Sequence, residues 1–176
     1  DTSKTTGINF SDIRASHIFS KISNIKVDKD TVTARIRDLK AIEKSGFVLS
    51  RLNADFKVSP IGMSFKNLAI KTTRSSVNSN IEFNYDKFQD FTDDFISKVG
   101  IKGVFSNSLL DIRDLAFFAP QLYGMEKSIL ISGKVNGTVD NIKGKNLNIK
   151  FGPSSYFAGN LDMKGLPYIE STFINL

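Results

Sequence analysis

Residues 32–37 read Val32-Thr33-Ala34-Arg35-Ile36-Arg37, with an apolar side chain at every second position. Successive side chains of a β-strand point to opposite faces of the sheet, so this spacing predicts a strand with one apolar and one solvated face. The same alternation recurs through Leu52–Val58, Val77–Tyr85 and Leu147–Phe151. Strands of this kind are typical of antiparallel sheets and not of parallel sheets buried on both faces. The sequence therefore predicts a mainly β, antiparallel-type fold.

The apolar positions of these strands form the candidate functional surface. A sheet with one apolar face covers that face with a second layer, with its own curvature or with an apolar ligand such as lipid tails. An acyl chain needs no directional contacts there and gains about 0.8 kcal/mol per buried methylene. We call the residues predicted to line this apolar face the inner wall. They are Val32, Ala34, Ile36, Leu52, Ala54, Phe56, Ile129, Ile131, Val135, Leu147, Ile149, Phe157 and Leu161.

Small residues share the phase of these large apolar ones, and two interpretations remain open for them. They either leave room for lipid chains or allow a tightly packed, closed core. The residues concerned are Ala34, Ser50, Ala54, Ser79, Gly133, Gly137 and Gly159.

An Asn marks the places where the apolar phase slips by one residue. In Lys66-Asn67-Leu68-Ala69-Ile70 the apolar positions change parity relative to the preceding Phe65, and the sequence around Asn24 behaves likewise. A one-residue slip would turn the apolar face outward unless a bulge absorbs it. We therefore expect bends or bulges near Asn24 and Asn67. Asn136-Gly137 is either a hairpin turn or a bulge in one long strand.

Two segments depart from the alternation and predict short amphipathic helices. From Asp86 to Val99 the apolar residues have helical spacing, with Gly100 as the stop. From Asp111 to about Leu122 a second helix is predicted, with Pro120 limiting it. A short strand, 101–105, separates them within a helical insertion spanning 86–122. These helices cap an edge of the sheet, lie against a membrane or bind a partner helix, and the acidic polar face of the first disfavours contact with anionic lipid.

The composition offers little for catalysis. The 176 residues contain no Cys and one His, His17, which excludes a Cys-His pair and Cys-ligated metal. Asp93 and Asp94 are adjacent on a helix and point in different directions, and Asp28-x-Asp30 lacks the rest of a calcium loop. The net charge is +6, but the basic residues are dispersed and no aromatic RNA-binding motif is present. We predict a non-enzymatic protein without cofactor, metal or nucleic-acid partner.

Several short motifs, in order along most of the chain, resemble the TamB proteins of Bacteroidota, relatives of the AsmA-like and bridge-like lipid-transfer proteins. They are Glu43-Lys44-Ser45-Gly46-Phe47, Leu52–Val58, Leu68–Ser76, Asp114-Leu115 with Phe118-Ala119-Pro120, Ile131–Val139 and Lys164-Gly165-Leu166-Pro167.

The resemblance implies an elongated curled sheet, a β-taco-like trough, in a periplasmic protein that is anchored in the inner membrane. In that family the apolar trough is thought to conduct phospholipid acyl chains to the outer membrane. A TamA-like outer-membrane barrel is the usual partner, and a role in outer-membrane protein assembly is also assigned. The chain begins with Asp1 and ends within an alternating stretch, so we expect residues 1–176 to be an internal segment of such a groove, with the anchor elsewhere.

Two functions follow as expectations. The first is a segment of a groove that conducts phospholipids and supports outer-membrane biogenesis. The second is a scaffold or assembly module that binds outer-membrane protein partners through exposed sheet edges or through the Phe88–Val99 helix, because unpaired strand edges are natural docking sites.

Overall fold

The alternating sequence folds into one long, curled antiparallel sheet. The computed structural model describes residues 7–9, 12–152 and 154–176. Within them, ten strands lie side by side in chain order, so that each pairs with the strand before or after it. The strands are β1 (Ala15–Asp28), β2 (Thr31–Glu43), β3 (Val48–Ser59), β4 (Gly62–Thr72), β5 (Ser76–Asn84), β6 (Gly100–Asp111), β7 (Ser128–Thr138), β8 (Asn141–Phe151), β9 (Ser155–Lys164) and β10 (Phe173–Asn175).

The sheet is open, and β1 and β10 are its two edges. Most connections are short turns, such as the one between β7 and β8. The Asn136-Gly137 pair does not form that turn. Strand β7 continues through both residues to Thr138, and the chain turns at Val139 and Asp140. Gly137 has a φ of +130°, which a residue with a Cβ rarely adopts. Of the two interpretations of this dipeptide, the structure has the continuous strand.

Register gives the sheet one apolar and one polar face. Residues directly opposite each other on antiparallel strands project to the same side. Ala34 pairs with Phe56 and Ile36 with Ala54, which defines the apolar face. The intervening pair, Arg35 and Asp55, lies on the polar face and forms an ion pair at 3.0 Å. The predicted fold class, a mainly β antiparallel sheet with short helices, is confirmed.

The predicted bulges are present. Asn24 and Asn67 have φ values of +54° and +52°, and the pairing shifts register beside each of them. Asn tolerates this left-handed conformation better than most residues with a side chain. The extra residue absorbs the phase slip, so Leu68 and Ile70 stay on the same face as Phe65.

The first predicted helix is broken in two. Helix α1 (Phe88–Asp93) and helix α2 (Phe95–Lys98) are separated by Asp94, whose φ and ψ are −147° and 50°. Asp90, placed by the sequence pattern on the acidic solvated face, is buried, and its carboxylate accepts a hydrogen bond from the Lys87 N–H at the start of α1. The prediction of one continuous helix was therefore wrong, and of its acidic residues Asp90 is buried whereas Asp86 and Asp93 are exposed as predicted.

The second helical segment is also shorter than predicted. Strand β6 extends to Asp111, well beyond the expected end at residue 105, and helix α3 covers only Ile112–Leu115. A single 3₁₀ turn follows at Pro120–Leu122. Because β6 is a full member of the sheet, the stretch 86–122 is not one helical insertion. Its helical parts connect opposite ends of the strands, and we call these the α1 end and the α3 end of the sheet.

Among the helices that the structure describes, none has the length and apolar character needed to cross a membrane.

Candidate functional site

All thirteen residues predicted to form the inner wall lie on the apolar face. The pairings that place them there run through both halves of the sheet, as in Leu52 with Ile70 and Ile131 with Ile149. The remaining positions follow from the same registers: Val32 opposite Val58, Ala34 opposite Phe56, Ile36 opposite Ala54, Ile129 opposite Phe151, Val135 opposite Gly144, Leu147 opposite Gly159, Ile149 opposite Phe157, and Gly144 opposite Leu161.

Burial along this face is graded. Ala54, Leu147 and Ile149 are buried, with 0%, 2% and 8% of their surface exposed. The other ten predicted wall residues are half-buried, and none of the thirteen is exposed. Cross-strand neighbours on the same face of a sheet cover one another, which accounts for the half-burial of these side chains. The buried wall residues lie on β3 and β8.

No second layer of strands or helices covers the apolar face within the part of the chain that the structure describes. The strands make their extensive contacts with their neighbours in the sheet, and the helical segments contact mainly each other, β6 and β7. The sheet therefore shields its apolar face largely with its own side chains. This arrangement differs from a sandwich, in which a second sheet fills the space opposite.

The small residues on this face are packed against their neighbours. A Cβ on Gly133 would lie 2.6 Å from the backbone oxygen of Asn146, and a Cβ on Gly144 would meet the side chain of Leu147. A Cβ on Gly159 would lie 3.3 Å from the Phe157 ring. At these positions glycine permits close packing of the sheet with itself, and the tight-packing interpretation holds there.

The predicted wall residues include none from the central strands β4, β5 and β6 of the same face, although alternation is evident in Val77–Tyr85. Their apolar residues alternate as clearly as those named, but the slips at Asn67 and Asn107 hide the continuity of the face across β4 and β6. The residues missed are Met63, Phe65, Leu68, Ile70, Val77, Ile81, Phe83, Ile101, Phe105 and Leu110.

At the α1 end, a chain of aromatic rings joins the apolar face to the helices. The Phe56 and Phe65 rings lie 5.2 Å apart, and Phe65 contacts Phe83 at 6.4 Å. Phe83 in turn packs edge-on against Phe91 of α1 at 5.6 Å and against Phe95 of α2. Aromatic pairs at such spacings add stability beyond the apolar area they bury. The α1 segment therefore caps one end of the apolar face, which is one of the roles left open by the sequence.

At the α3 end, Phe47 of the β2–β3 loop contacts both Phe117 and Phe118, at 5.6 and 5.1 Å. Asp114, buried in α3, accepts hydrogen bonds from the hydroxyls of Thr72 and Ser75 in the β4–β5 turn. Parts of three of the motifs that carry the family resemblance therefore meet here. They are the segments 43–47, 72–76, 114–115 and 118–120, and their contacts give them a structural role in closing this end.

Asp111 is the most strongly perturbed acid of the α3 end. Its buried carboxylate accepts hydrogen bonds from Nε and Nη2 of Arg113, both at 2.8 Å, and from the hydroxyl of Ser128 at 2.9 Å. The Arg113 guanidinium, more than offsetting the effect of burial, holds the pKa of Asp111 far below its ordinary value. This geometry ties the start of α3 to the start of β7. Both oxygens are occupied by structural partners, so the group is poorly placed for proton transfer to a substrate.

The described residues do not form a recognisable catalytic or metal-binding site. His17 is exposed on β1, with only the neighbouring Ser16 hydroxyl at 3.1 Å. Among the residues described, no three His, Asp or Glu side chains are grouped closely enough to hold a metal ion.

Comparison with known proteins yields no matching family model, no matching curated protein and no matching solved structure.

Proposed function

We propose that the apolar face is a segment of a periplasmic groove that carries phospholipid acyl chains between the inner and outer membranes and so supports outer-membrane biogenesis. The observation that carries the proposal is a continuous apolar face on an open sheet, without a second layer over it among the described residues. Lipid tails are stabilised on such a surface by area alone and need no specific polar partner. A TamA-like barrel belongs to this proposal as the partner in the outer membrane.

The half-buried state of the wall residues supports this function over an ordinary core. Phe56, Ile131 and Phe157 keep part of their surface accessible, whereas the core of a closed β domain is dry and close-packed. A lipid tail lying along the face would complete their burial. The glycines are closely packed and the aromatic cap closes the α1 end. A lipid tail would therefore lie on top of the wall side chains and not between the strands.

Site-specific photo-crosslinking tests the proposal with matched controls. Ile131 and Phe157 lie on the apolar face, and their chain neighbours Leu130 and Tyr156 lie on the polar face, with 41% and 66% of their surfaces exposed. A photoreactive amino acid at each position, in protein incubated with phosphatidylethanolamine vesicles, should give lipid adducts at 131 and 157 and few at 130 and 156. Equal labelling of the two faces, or labelling of neither, would overturn the proposal.

A specific observation also favours the second function, a protein-binding scaffold. Edge strand β1 exposes five large apolar side chains, and an edge strand presents unpaired N–H and C=O groups to a further strand. The exposed residues are Ile18, Phe19, Ile22, Ile25 and Val27, with 51–69% of their surfaces accessible. By contrast, the apolar residues of the α1 segment, residues 88–99 with both α1 and α2, are buried or half-buried except Phe88, and Val99 has no exposed surface. The scaffold function therefore rests on the edge.

Native mass spectrometry of protein purified from cells separates the two functions. Retained phospholipid supports the groove. A stoichiometric outer-membrane protein without lipid, lost when Ile22 is replaced by Pro to block strand pairing, supports the scaffold.

A further inference from the structure

The polar face carries a cationic groove on the side opposite the proposed lipid wall. Its volume is about 590 Å³, and β5, β6, β7 and β8 contribute its lining. Four lysines dominate that lining, and we call the feature the lysine groove: Lys102, Lys134, Lys143 and Lys145. Asn80, Asn136 and Glu82 supply its other polar side chains.

The register places two of these lysines directly opposite each other. Lys134 of β7 is the cross-strand partner of Lys145 on β8. Like charges in this relationship repel and destabilise a sheet. A like-charged pair on a solvated face is therefore a cost to the fold, and an anion bound between the two ammonium groups would remove that cost.

The acids near the groove do not neutralise this pair. Asp162 lies 3.7 Å from Lys143, and Glu82 is the cross-strand neighbour of Lys102. Within the part of the chain that the structure describes, Lys134 and Lys145 have no carboxylate within ion-pair distance. Four cations therefore face two acids, and the positive charge is concentrated on the Lys134–Lys145 pair.

We propose that the lysine groove binds a phosphate group, held between the ammonium groups of Lys134 and Lys145. Lysine is a point-charge binder of phosphate, and its three N–H donors do not demand the planar geometry that arginine does. The groove is of the size of a small-ligand site, which suits a phosphate ester or a lipid headgroup. The site is independent of the apolar face, because its lysines project from the opposite side of the sheet.

The test titrates the purified chain at low salt with inorganic pyrophosphate, and separately with vesicles of phosphatidylglycerol in phosphatidylcholine. We expect the K134Q/K145Q variant to bind about tenfold or more weakly, a loss corresponding to about 1.4 kcal/mol. The control is K40Q/K71Q, which removes the same charge from two exposed lysines outside the groove and should bind within about twofold of the parent.

The outcomes are distinct. Pyrophosphate binding that depends on the pair supports a soluble phosphate ester as the ligand, and pair-dependent binding of vesicles alone supports a lipid headgroup. Equal weakening by the two double variants, or no binding of either probe, overturns the proposal. Unfolding in urea provides a check on folding, because removal of the repelling pair should leave the variant at least as stable as the parent.

Discussion

The backbone N–H of Asn67 donates a 2.8 Å hydrogen bond to the side-chain oxygen of Asn80 on the neighbouring strand. Asn67 is the left-handed residue of a bulge, so the ladder cannot pair its N–H in the regular way. An orphaned backbone donor costs free energy, and the Asn80 side chain removes that cost.

The same arrangement recurs across the sheet. The N–H groups of Asp38, Asn107 and Asn146, each with positive φ, donate to side-chain oxygens of the following strand. The acceptors are Asn53, Ser132 and Asn160, at 2.8, 3.1 and 3.0 Å. A row of bulges therefore crosses the sheet, each with a polar acceptor, and it keeps the apolar residues on one face along strands of 11 to 13 residues.

The conformation of Asn67 leads to the first prediction. Asn67→Val should destabilise the protein by about 1–2 kcal/mol, because a side chain with a branched Cβ is strained at positive φ. Asn67→Gly should cost less, since glycine adopts this conformation freely. Only the hydrogen bond from the side-chain Nδ2 of Asn67 to the Asp55 carboxylate is lost. Urea denaturation followed by circular dichroism measures both variants. Equal loss in the two would show that backbone strain is not what selects Asn here.

The bulges could be predicted from the sequence, whereas the helix ends could not. A phase slip at Asn67 is visible in the sequence because the apolar positions change parity there. The break between α1 and α2 at Asp94 has no such signal, because Phe91, Phe95 and Val99 keep helical spacing across it. Their contacts with Phe83 and the sheet set the path of the segment, and tertiary packing of this kind overrides local propensity.

The aromatic cap of the α1 end gives the second prediction. Phe91 contacts Phe83, Phe88 and Phe95, so Phe91→Ala should cost about 2 kcal/mol, less than for a fully buried Phe. Hydrogen exchange should speed up across residues 86–99 and change little in β1 and β2. Phe88→Ala, at a site that is 51% exposed, is the control and should have a smaller effect. Uniform acceleration over the whole sheet would argue against a local cap.

Asp111 gives the third prediction, a dependence of stability on pH. Its folded-state pKa is depressed, so its contribution is complete above the unfolded-state pKa of about 3.9, declines as the pH falls below that value, and is lost below the folded-state pKa. Asp111→Asn should lower the free energy of unfolding at pH 7 by about 1–3 kcal/mol. It should also flatten the decline in stability between about pH 4 and pH 2. Parallel pH profiles for the parent and the variant would contradict this assignment.

Gly133 gives the fourth prediction. Its φ is +123°, and a Cβ would lie 2.6 Å from the carbonyl oxygen of Asn146, so Gly133→Ala forces β7 and β8 apart. We expect a loss of about 2 kcal/mol or more in urea denaturation. Gly152 also has positive φ, but a Cβ added there would meet no described neighbour within 4 Å, so Gly152→Ala reports the backbone strain alone, about 1 kcal/mol. Similar losses in both variants would remove the close approach of the strands as the cause.

The membership of the apolar face could be predicted from alternation alone, but the burial of each member could not. Ala54 and Ile131 are equivalent in the sequence pattern, yet Ala54 has no exposed surface and Ile131 is half-buried. The difference depends on which side chains of adjacent strands close over each position. It determines which residue can be altered without loss of the fold.

The fifth prediction uses that difference to test lipid binding. Ile131→Asp places a carboxylate on the partly accessible wall and should reduce co-purified phospholipid by about tenfold while the protein remains folded, because a charge disfavours acyl chains nearby. Ala54→Asp is unsuitable, since an unpaired charge at a fully buried position destabilises the sheet itself. Leu130→Asp is the control, with the same charge change on the polar face one residue away. Native mass spectrometry measures the lipid retained by each variant, with circular dichroism as the check on folding. If Ile131→Asp and Leu130→Asp retained as much lipid as the parent, the apolar face would not be the binding surface.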